Sequence, residues 1–380
     1  MASNPGNLAM RRRSVITLTE DHKRIIWALR THGPMSRTAL AARLGLHNGA
    51  MTRLARELMT LDLIDEGEAE PAARGRPTVP MVISGRGGYA AGATVHPGWL
   101  EIALVDFSGA LIARDIEPFD DPDPRPFIKA VERRLAGLGM GHMLRSRFLG
   151  LGVAATGPTK REDPSRRLAV PWLSGWRDQD LTELFSDYLG VPVWVENDAT
   201  LAALAEFYDE RLIGVASSAL VFFIGHGVGG GLIVDRQLFA GQHGNAGEIG
   251  RLFPGPPTHR PSGIDLLSRL QEAGAQVHSL LDMDSALAAH PAVVAAWIDR
   301  AGGQLATAID SGVAWLDPGA VVMSGALPFE ILQRLADRVE QGAWATDFDF
   351  LARPQLHVSR LGSLAVAKGA ALLPIHHVGA

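Results

Sequence analysis

The chain has 380 residues, 47% of them hydrophobic, and a formal net charge of −5. This length suffices for two or three domains with sizeable cores. There is no cysteine, which excludes disulfides, thiol nucleophiles and thiolate metal sites.

Charge is distributed unevenly along the chain. Residues 1–80 hold 12 Lys/Arg and 8 Asp/Glu, a net charge of +4, which leaves −9 on the other 300 residues. Such a distribution favours contact of the N-terminal region alone with a polyanion. The start, MASNPGNLAMRRRSVITLTE, lacks the apolar core of a signal peptide, and no apolar run reaches the ~20 residues of a membrane span. We therefore expect a cytoplasmic protein without membrane contact.

Three amphipathic helices are predicted between residues 15 and 60. The first, LTEDHKRIIWALRTHG, has apolar residues on one face and is stopped by Gly33-Pro34. The second, SRTALAARLG, begins at a capping Ser36 and ends at Gly45. The third, LHNGAMTRLARELMTLDLI, follows after a short turn, which indicates a helix-turn-helix. The stretch LIDEGEAEPAARGRPTVPMVIS then predicts two short strands around a charged loop, a wing.

The N-terminal end of the third helix enters the major groove in such a motif. Asn and Arg can contact adenine and guanine bidentately, and Ala or Thr can touch a thymine methyl. The exposed candidates are His47, Asn48, Ala50, Thr52 and Arg53. Arg56, one turn further, is expected at phosphate, while Arg74 and Arg76 in the loop RGRP suit the narrow minor groove. The alternative is a helical protein-interaction module with a solvated loop.

The rest of the chain carries one strand–bend–strand unit twice. Its copies are GATVHPGWLEIALVDFSGALIARDI, residues 92–116, and ALVFFIGHGVGGGLIVDRQLFAG, residues 219–241. Helical stretches alternate with further buried strands, RFLGLGVAATG and AVVMSGAL. Two similar α/β lobes with a ligand cleft at the carboxyl ends of strands are therefore predicted. The bend Gly225–Gly231 can cradle a phosphate, or its glycines serve close packing.

Polar side chains follow the predicted strand Val193–Val195. Asn197 and Asp198 stand there at the start of a helix, where carboxamide and carboxylate suit the vicinal hydroxyls of a sugar. A helix cap explains the same residues, and both interpretations can hold at once. Glu248 in HGNAGEIGRL is either a hydroxyl acceptor in a pocket or a solvated side chain.

These residues together resemble the ROK family of repressors and sugar kinases, over nearly the whole chain. The motifs that carry the resemblance are PMSRTALAARLGL, RGRP, GVAATGP, ENDA, GHGVGGG, GNAGEIG and LDPGAVVMSGAL. The resemblance implies an α/β protein with a winged helix-turn-helix over residues 1–85 and a two-lobed, actin-like or hexokinase-like ROK body over residues 86–380. It also implies homodimers or homotetramers that bind operator DNA, and a sugar or sugar derivative in the cleft.

The first phosphate motif departs from the family pattern. The family's kinases have aspartate and glycine where Thr94 and His96 stand, which predicts that the chain is not an enzyme. Asp198 matches the family's catalytic base, which deprotonates a sugar hydroxyl. Without nucleotide, the same carboxylate can still accept a hydrogen bond from that hydroxyl.

A second departure concerns the family's cysteine-rich zinc loop, which usually follows GEIGH and ends in a glutamate. Here the loop, residues 252–264, is short and has no cysteine, and His259 alone cannot build a tetrahedral site. We therefore predict no structural zinc and no other cofactor. Asp265 is expected to take the place of the glutamate as a ligand contact.

Two further residues near the predicted cleft have open roles. Arg251, in place of the family's histidine, either pairs with Glu248 or binds an acidic or phosphorylated ligand. His243 either lines the cleft or lies on the surface.

The favoured hypothesis is a ligand-responsive transcriptional regulator, a repressor of carbohydrate uptake or metabolism genes. An oligomer would present recognition helices to half-sites ~34 Å apart for each helical turn. A sugar kinase with an added N-terminal domain is the first alternative, and it predicts ATP turnover that depends on Asp198. A regulator without a small-molecule effector is the second, and it predicts that Asn197→Ala and Glu248→Ala leave induction unchanged.

Overall fold

The computed structural model describes residues 16–69, 78–143, 147–208, 210–342 and 353–379. We call residues 16–69 and 78–84 the head, and the described residues from 85 onward the body. The head contains one two-stranded sheet, and the body contains two five-stranded sheets. Within the described ranges, no helix has both the length and the apolar character that crossing a bilayer requires.

Three helices form most of the head, as predicted. They are α1 Glu20–His32, α2 Arg37–Leu44 and α3 Asn48–Thr60. Thr19 Oγ1 accepts a hydrogen bond from the backbone N–H of His22, and Ser36 Oγ accepts one from that of Ala39. Gly45 ends α2 in the left-handed conformation, φ 67°. The ends of these helices thus follow local sequence signals.

A short antiparallel ribbon follows the three helices. Its strands are β1 Ile64–Glu66 and β2 Met81–Ile83. The ribbon agrees with the two strands expected around the charged loop. Arg74 and Arg76, the predicted minor-groove residues in that loop, lie outside the described residues.

The first lobe of the body is built on a sheet with strand order β5-β4-β3-β6-β7. Its strands are β3 Tyr89–His96, β4 Gly98–Asp106, β5 Leu111–Phe119, β6 Phe148–Ala154 and β7 Val193–Glu196. The first three are antiparallel neighbours, whereas β6 lies parallel to β3 and β7 parallel to β6. The first predicted strand–bend–strand unit is thereby confirmed.

The second lobe repeats the plan with strand order β10-β9-β8-β11-β12. Its strands are β8 Ala219–Ile224, β9 Val228–Val234, β10 Gln237–Leu238, β11 Ala320–Gly325 and β12 Gln355–Val358. An antiparallel β8–β9–β10 unit again borders parallel strands, since β11 runs parallel to both β8 and β12. The duplicated unit in the sequence thus corresponds to a duplicated lobe.

Helices alternate with these strands. The α-helices of the body are α4 Pro124–Met143, α5 Leu181–Leu189, α6 Asp198–Phe207, α7 Glu210–Ile213, α8 Gly263–Glu272, α9 Asp284–Ala289, α10 Pro291–Leu316, α11 Phe329–Gly342 and α12 Leu364–Gly379. Short 3-10 helices span Gly85–Gly87, Pro171–Trp176, Ile249–Leu252, Pro257–His259 and Leu280–Asp282.

Two buried helices, α6 and α12, form the centre of the body. A side chain at Gly92 of β3 or Gly152 of β6 would collide with the backbone of α12, and one at Gly369 of α12 would collide with the backbone of α6. Glycine therefore permits the close contact of α12 with the first sheet and with α6. Because α6 also packs on β8 and β9, this helix connects the two lobes.

Candidate ligand and nucleic-acid sites

The candidate ligand site begins where β7 ends and α6 starts. Asn197 caps α6, because its side-chain oxygen accepts hydrogen bonds from the backbone N–H groups of Ala199 at 2.9 Å and Thr200 at 3.3 Å. Its side-chain amide N–H groups donate to no other described residue. The cap and the ligand contact predicted for Asn197 are therefore compatible.

The carboxylate of Asp198, in this turn, uses only part of its hydrogen-bonding capacity. Its Oδ1 accepts a hydrogen bond from the backbone N–H of Ala199 at 2.9 Å, and Thr156 Oγ1 lies 3.4 Å from Oδ2. Burial raises the pKa of the Asp198 carboxyl, against the lowering effects of this backbone hydrogen bond and of Arg167. Asp198 is half-buried, so its spare acceptor capacity remains within reach of a ligand hydroxyl.

Glu248 lies close enough to Asp198 for the two charges to interact. Burial raises the pKa of the Glu248 carboxyl most, the charge of Asp198 raises it further, and Arg167 and Arg251 lower it. The fold thus brings together two acids that are fifty residues apart in the sequence, one from each lobe. Two acids of this kind can accept hydrogen bonds from neighbouring hydroxyl groups of one ligand.

Arg167 lies near this acidic site, and no sequence motif marks it. Its side chain is only 7% exposed, and its guanidinium nitrogens lie 2.8 Å from Glu196 Oε1 and 3.1 Å from Gly157 O. Its charge also favours the ionised forms of Asp198 and Glu248. Arg167 is the middle residue of RRL, a stretch without any motif, so only the tertiary structure reveals its role.

Asp265 corrects the sequence prediction. Its side chain is fully buried, with Oδ1 3.1 Å from Arg269 Nε and Oδ2 2.6 Å from Trp297 Nε1, and Oδ2 also pairs with Arg300. Both oxygens thus have partners within α8 and α10, and a ligand cannot reach them. The expectation that Asp265 takes the place of the family's glutamate is wrong, because Arg269 of α8 and two side chains of α10 occupy its oxygens.

Arg251 and His243 are both exposed. No ion pair within 4 Å joins Arg251 to Glu248 among the described residues, although its charge lowers the pKa of that carboxyl. His243 borders a cavity of about 450 Å³ that also involves Thr159, Lys160, Arg161 and Asn245. His243 therefore lies at a concave surface between the lobes, whereas Arg251 keeps an unpaired guanidinium beside the acids.

Hydrogen bonds join the two lobes at this cavity. Thr159 donates from its backbone N–H to Asn245 Oδ1 at 2.8 Å, and Asn245 Nδ2 donates back to the Thr159 carbonyl at 3.1 Å. Thr159 Oγ1 also donates to the carbonyl of His243 at 2.5 Å. The loop after β6 is thereby fixed against the loop that leads to Glu248.

Aromatic side chains fill the bend of the first strand–bend–strand unit. His96 is buried and stacks on Trp99 with ring centroids 4.5 Å apart, and Trp99 packs into the apolar core of the second lobe. Burial lowers the pKa of His96 to about 3, with smaller contributions from His226 and Arg114. A neutral histidine and an indole offer little to phosphate, and they occupy space between the two bends.

The glycine-rich bend of the second lobe is used for close packing. A side chain at Gly229 or Gly231 would approach α6 too closely, and the N–H of Gly230 donates to Gly247 O at 2.9 Å. The N–H of Gly263 also donates to Gly225 O at 2.8 Å. These contacts support the packing interpretation of this motif over the phosphate-binding one.

The candidate nucleic-acid interface is the exposed face of α3 and its N-cap. The predicted residues on this face are His47, Asn48, Thr52, Arg53 and Arg56, all exposed, and Ala50, half-buried. Thr52 Oγ1 donates to Asn48 O at 2.8 Å, and Arg53 pairs with Glu57 at 2.7 Å. Glu57 also lies 2.9 Å from His22 Nε2 of α1. The apolar side of α3 faces the head core, so its polar side is the one available to a partner.

The sequence profile of the ROK family matches residues 140–376, which is more than half of the chain. The chain belongs to the ROK family. Among relatives, the uncharacterized protein y4fQ of Sinorhizobium fredii is 31% identical over 94% of this chain and 91% of its own length. The xylose repressor of Bacillus spizizenii is 25% identical over 62% of each chain.

Solved structures of ROK proteins show the same fold. A ROK family transcriptional regulator, homologous to the Escherichia coli MLC protein, has a TM-score of 0.69 at 21% identity and covers 98% of both chains. A ROK family glucokinase of Streptomyces griseus, solved with glucose and AMPPNP, has a TM-score of 0.61 at 22% identity. The match to the glucokinase includes 75% of this chain and 99% of the glucokinase. The match to the regulator includes almost all of both chains.

Proposed function

We propose that this ROK protein is a DNA-binding transcriptional regulator, of the repressor type, whose effector is a sugar or sugar derivative bound between the lobes. The observation that carries the effector proposal is the acidic site of Asp198 and Glu248, with Asn197 beside Asp198 and the charge of Arg167 acting on both acids. Half-buried acceptors beside free amide donors suit a ligand with several neighbouring hydroxyls.

The head supports the DNA-binding part of the proposal. Three helices followed by a two-stranded ribbon have the element order of a winged helix-turn-helix. The third helix, α3, exposes Asn48, Thr52 and Arg53 at its N-terminal half, where such a helix would meet base edges in the major groove. Relatives named as repressors point the same way.

A sugar kinase is the second candidate, because kinases share this fold and the pKa of Asp198 is raised, as a general base requires. The filled first bend opposes it. Kinases need a metal and a polar cradle for the phosphates of ATP, whereas His96 and Trp99 are buried there against the second lobe. We propose that the cleft kept its sugar site and lost its nucleotide site.

The remaining features of the proposal rest on the sequence. We propose that the chain binds no structural zinc, since the loop of residues 252–264 offers His259 alone. We also propose that the protein acts as a homodimer or homotetramer, and that Arg74 and Arg76 enter the minor groove. Unpaired Arg251, beside the acids, is a candidate contact for an acidic or phosphorylated effector.

The test is calorimetric titration of the full-length protein with a panel of sugars, sugar phosphates and ATP with magnesium. Binding of one sugar without binding of ATP supports the regulator. ATP binding that raises sugar affinity supports the kinase and contradicts our interpretation of the first bend. A random duplex library selected on the protein then supplies its DNA site, and sugar should change affinity for that site. A protein that binds DNA but no sugar would support the alternative without an effector.

A further inference from the structure

The head is docked on the body by side chains of α1 that contact three body elements. Arg30, only 7% exposed, donates through a guanidinium nitrogen to the carbonyl of Phe107 at 2.7 Å, and its guanidinium carbon lies 4.6 Å from the Phe107 ring centroid. The same guanidinium lies 5.7 Å from the ring of Tyr208. Trp27, one turn earlier, meets His376 of α12 edge to face at 5.7 Å.

Two of these contacts lead directly back to the candidate ligand site. Tyr208 directly follows α6, whose first residue is Asp198, and its hydroxyl lies 3.2 Å from His376 Nδ1. A helix of this length spans about 15 Å, and this one is buried from Ala199 to Phe207, so a shift at one end displaces the other. Tyr208 and the ligand acid Asp198 are thus opposite ends of one rigid element.

A second route joins the same two places. β7 ends at Glu196, the partner of Arg167, and two residues earlier Trp194 stacks on His377 with ring centroids 5.5 Å apart. His377 directly follows His376, the residue that meets both Trp27 and Tyr208. Both α6 and β7 therefore connect the ligand site to the residues that α1 contacts, Tyr208 and His376.

Within the head, contacts continue from α1 to the candidate DNA-reading helix. His22 of α1 lies 2.9 Å from Glu57 of α3, and the other carboxylate oxygen of Glu57 pairs with Arg53 at 2.7 Å. The side chain of Arg53 is 65% exposed, on the face proposed to meet DNA. A displacement of α1 would thus shift Arg53, which the proposed function places in the major groove.

The docked arrangement has a built-in cost at Arg30, within an otherwise apolar contact of α1 with α12. Arg30 is a cation within an aromatic pocket, and its buried Nε makes no hydrogen bond among the described residues. A buried cation with an unsatisfied donor loses hydration that undocking restores. Coupling between distant sites requires such an element with two arrangements.

Building on the proposed function, we propose that the contact of Trp27 and Arg30 with Tyr208 and His376 is the junction through which the effector changes DNA affinity. The effector acts on Asp198, and through Arg167 on Glu196, and thereby shifts the docking of α1. The junction touches neither ligand nor DNA, so its residues act by positioning α1 and, through it, α3.

The experiment measures one ratio, the DNA affinity with saturating sugar against that without, by fluorescence anisotropy on the selected DNA site. Allosteric ratios in proteins are on the order of 5- to 150-fold. We expect Tyr208→Phe, which removes only the hydroxyl facing His376, to reduce the ratio about two- to tenfold. Arg30→Gln should reduce it further. In both variants the sugar should still bind in the absence of DNA.

Tyr188→Phe is the matched control, since Tyr188 donates its hydroxyl to Glu132 at 3.0 Å on the outer face of the first lobe, away from the head. This variant should keep the wild-type ratio. Tyr208→Phe and Arg30→Gln variants with the wild-type ratio would overturn the proposal, as would variants that no longer bind sugar at all. A wild-type ratio of one would instead contradict the proposed function.

Hydrogen exchange of the unmodified protein provides a test that needs no variant. Sugar should change the exchange rates of backbone amides in residues 25–31 of α1, as well as at the start of α6. Protection confined to the ligand site, with unchanged rates throughout α1, would overturn the proposal even if the variants fail to fold.

Discussion

The starts of α6 and α8 both place an aspartate in the first turn of a helix, half-buried in Asp198 and fully buried in Asp265. The charge of an arginine acts on Asp198, and two arginines pair with Asp265. Asp265 at α8 uses both oxygens, since Arg269, Trp297 and Arg300 all contact it. Asp198 at α6 has one backbone hydrogen bond and a hydroxyl at 3.4 Å, and its pKa is raised by burial. A fully paired acid stabilises the fold, whereas an incompletely paired one remains available to a ligand.

The largest expected effect is at the fully paired acid. Asp265→Asn leaves two arginines without their buried partner charge, and we expect the free energy of unfolding to fall by about 3 kcal/mol. Urea denaturation followed by fluorescence would measure this loss. The folded variant should bind sugar as the wild type does, and weaker sugar binding at unchanged stability would restore Asp265 as a ligand contact.

Asp198→Asn should have the opposite effects, a loss of sugar affinity without a loss of stability. The pKa of Asp198 is raised in the folded protein, so its ionised form costs stability once the pH exceeds the unfolded pKa. The amide removes this cost, and stability at pH 7 should stay equal or rise. Sugar affinity should fall about ten- to a hundredfold, because a hydrogen bond to a charged acceptor is lost. Calorimetry and urea denaturation of the same preparation would separate the two effects.

A third acid–arginine pair, Arg53 with Glu57, lies on the surface of α3. Exposed pairs of this spacing contribute little to stability, so here the arginine is expected to serve recognition. We expect Arg53→Ala to weaken binding to the selected DNA site by about 1–3 kcal/mol and to relax base preference. Arg56→Ala is the control, which should weaken binding to all DNA equally. Equal losses for both variants would assign both to phosphate.

The smallest expected effect is a shift of a pH profile. Sugar affinity should fall as pH drops through the raised pKa values of Asp198 and Glu248, because their protonated forms accept hydrogen bonds less strongly. Arg167 lowers both pKa values, so Arg167→Gln should move the profile to higher pH. Affinity at pH 8 should change little. An unshifted profile would mean that Arg167 acts through packing alone.

Much of the local structure could be predicted from short sequence signals. Thr19, Ser36 and Gly45 delimit helices through caps that depend on a few neighbouring residues. Apolar stretches with turns between them predicted both strand–bend–strand units. Asn197 and Asp198 were found for the same reason, because a strand end followed by a helix start places both side chains at one edge of the sheet.

The sequence by itself determined the head, the duplicated lobe and membership of the ROK family, since these depend on local propensities and on motifs. Only the tertiary structure decided which charges meet. The charge of Arg167, from a stretch without pattern, lowers the pKa values of Asp198 and Glu248, while Trp297 and Arg300 occupy Asp265. The physical reason is that the ionisation and availability of a buried acid depend on burial and on charges from distant parts of the chain, which packing alone brings together.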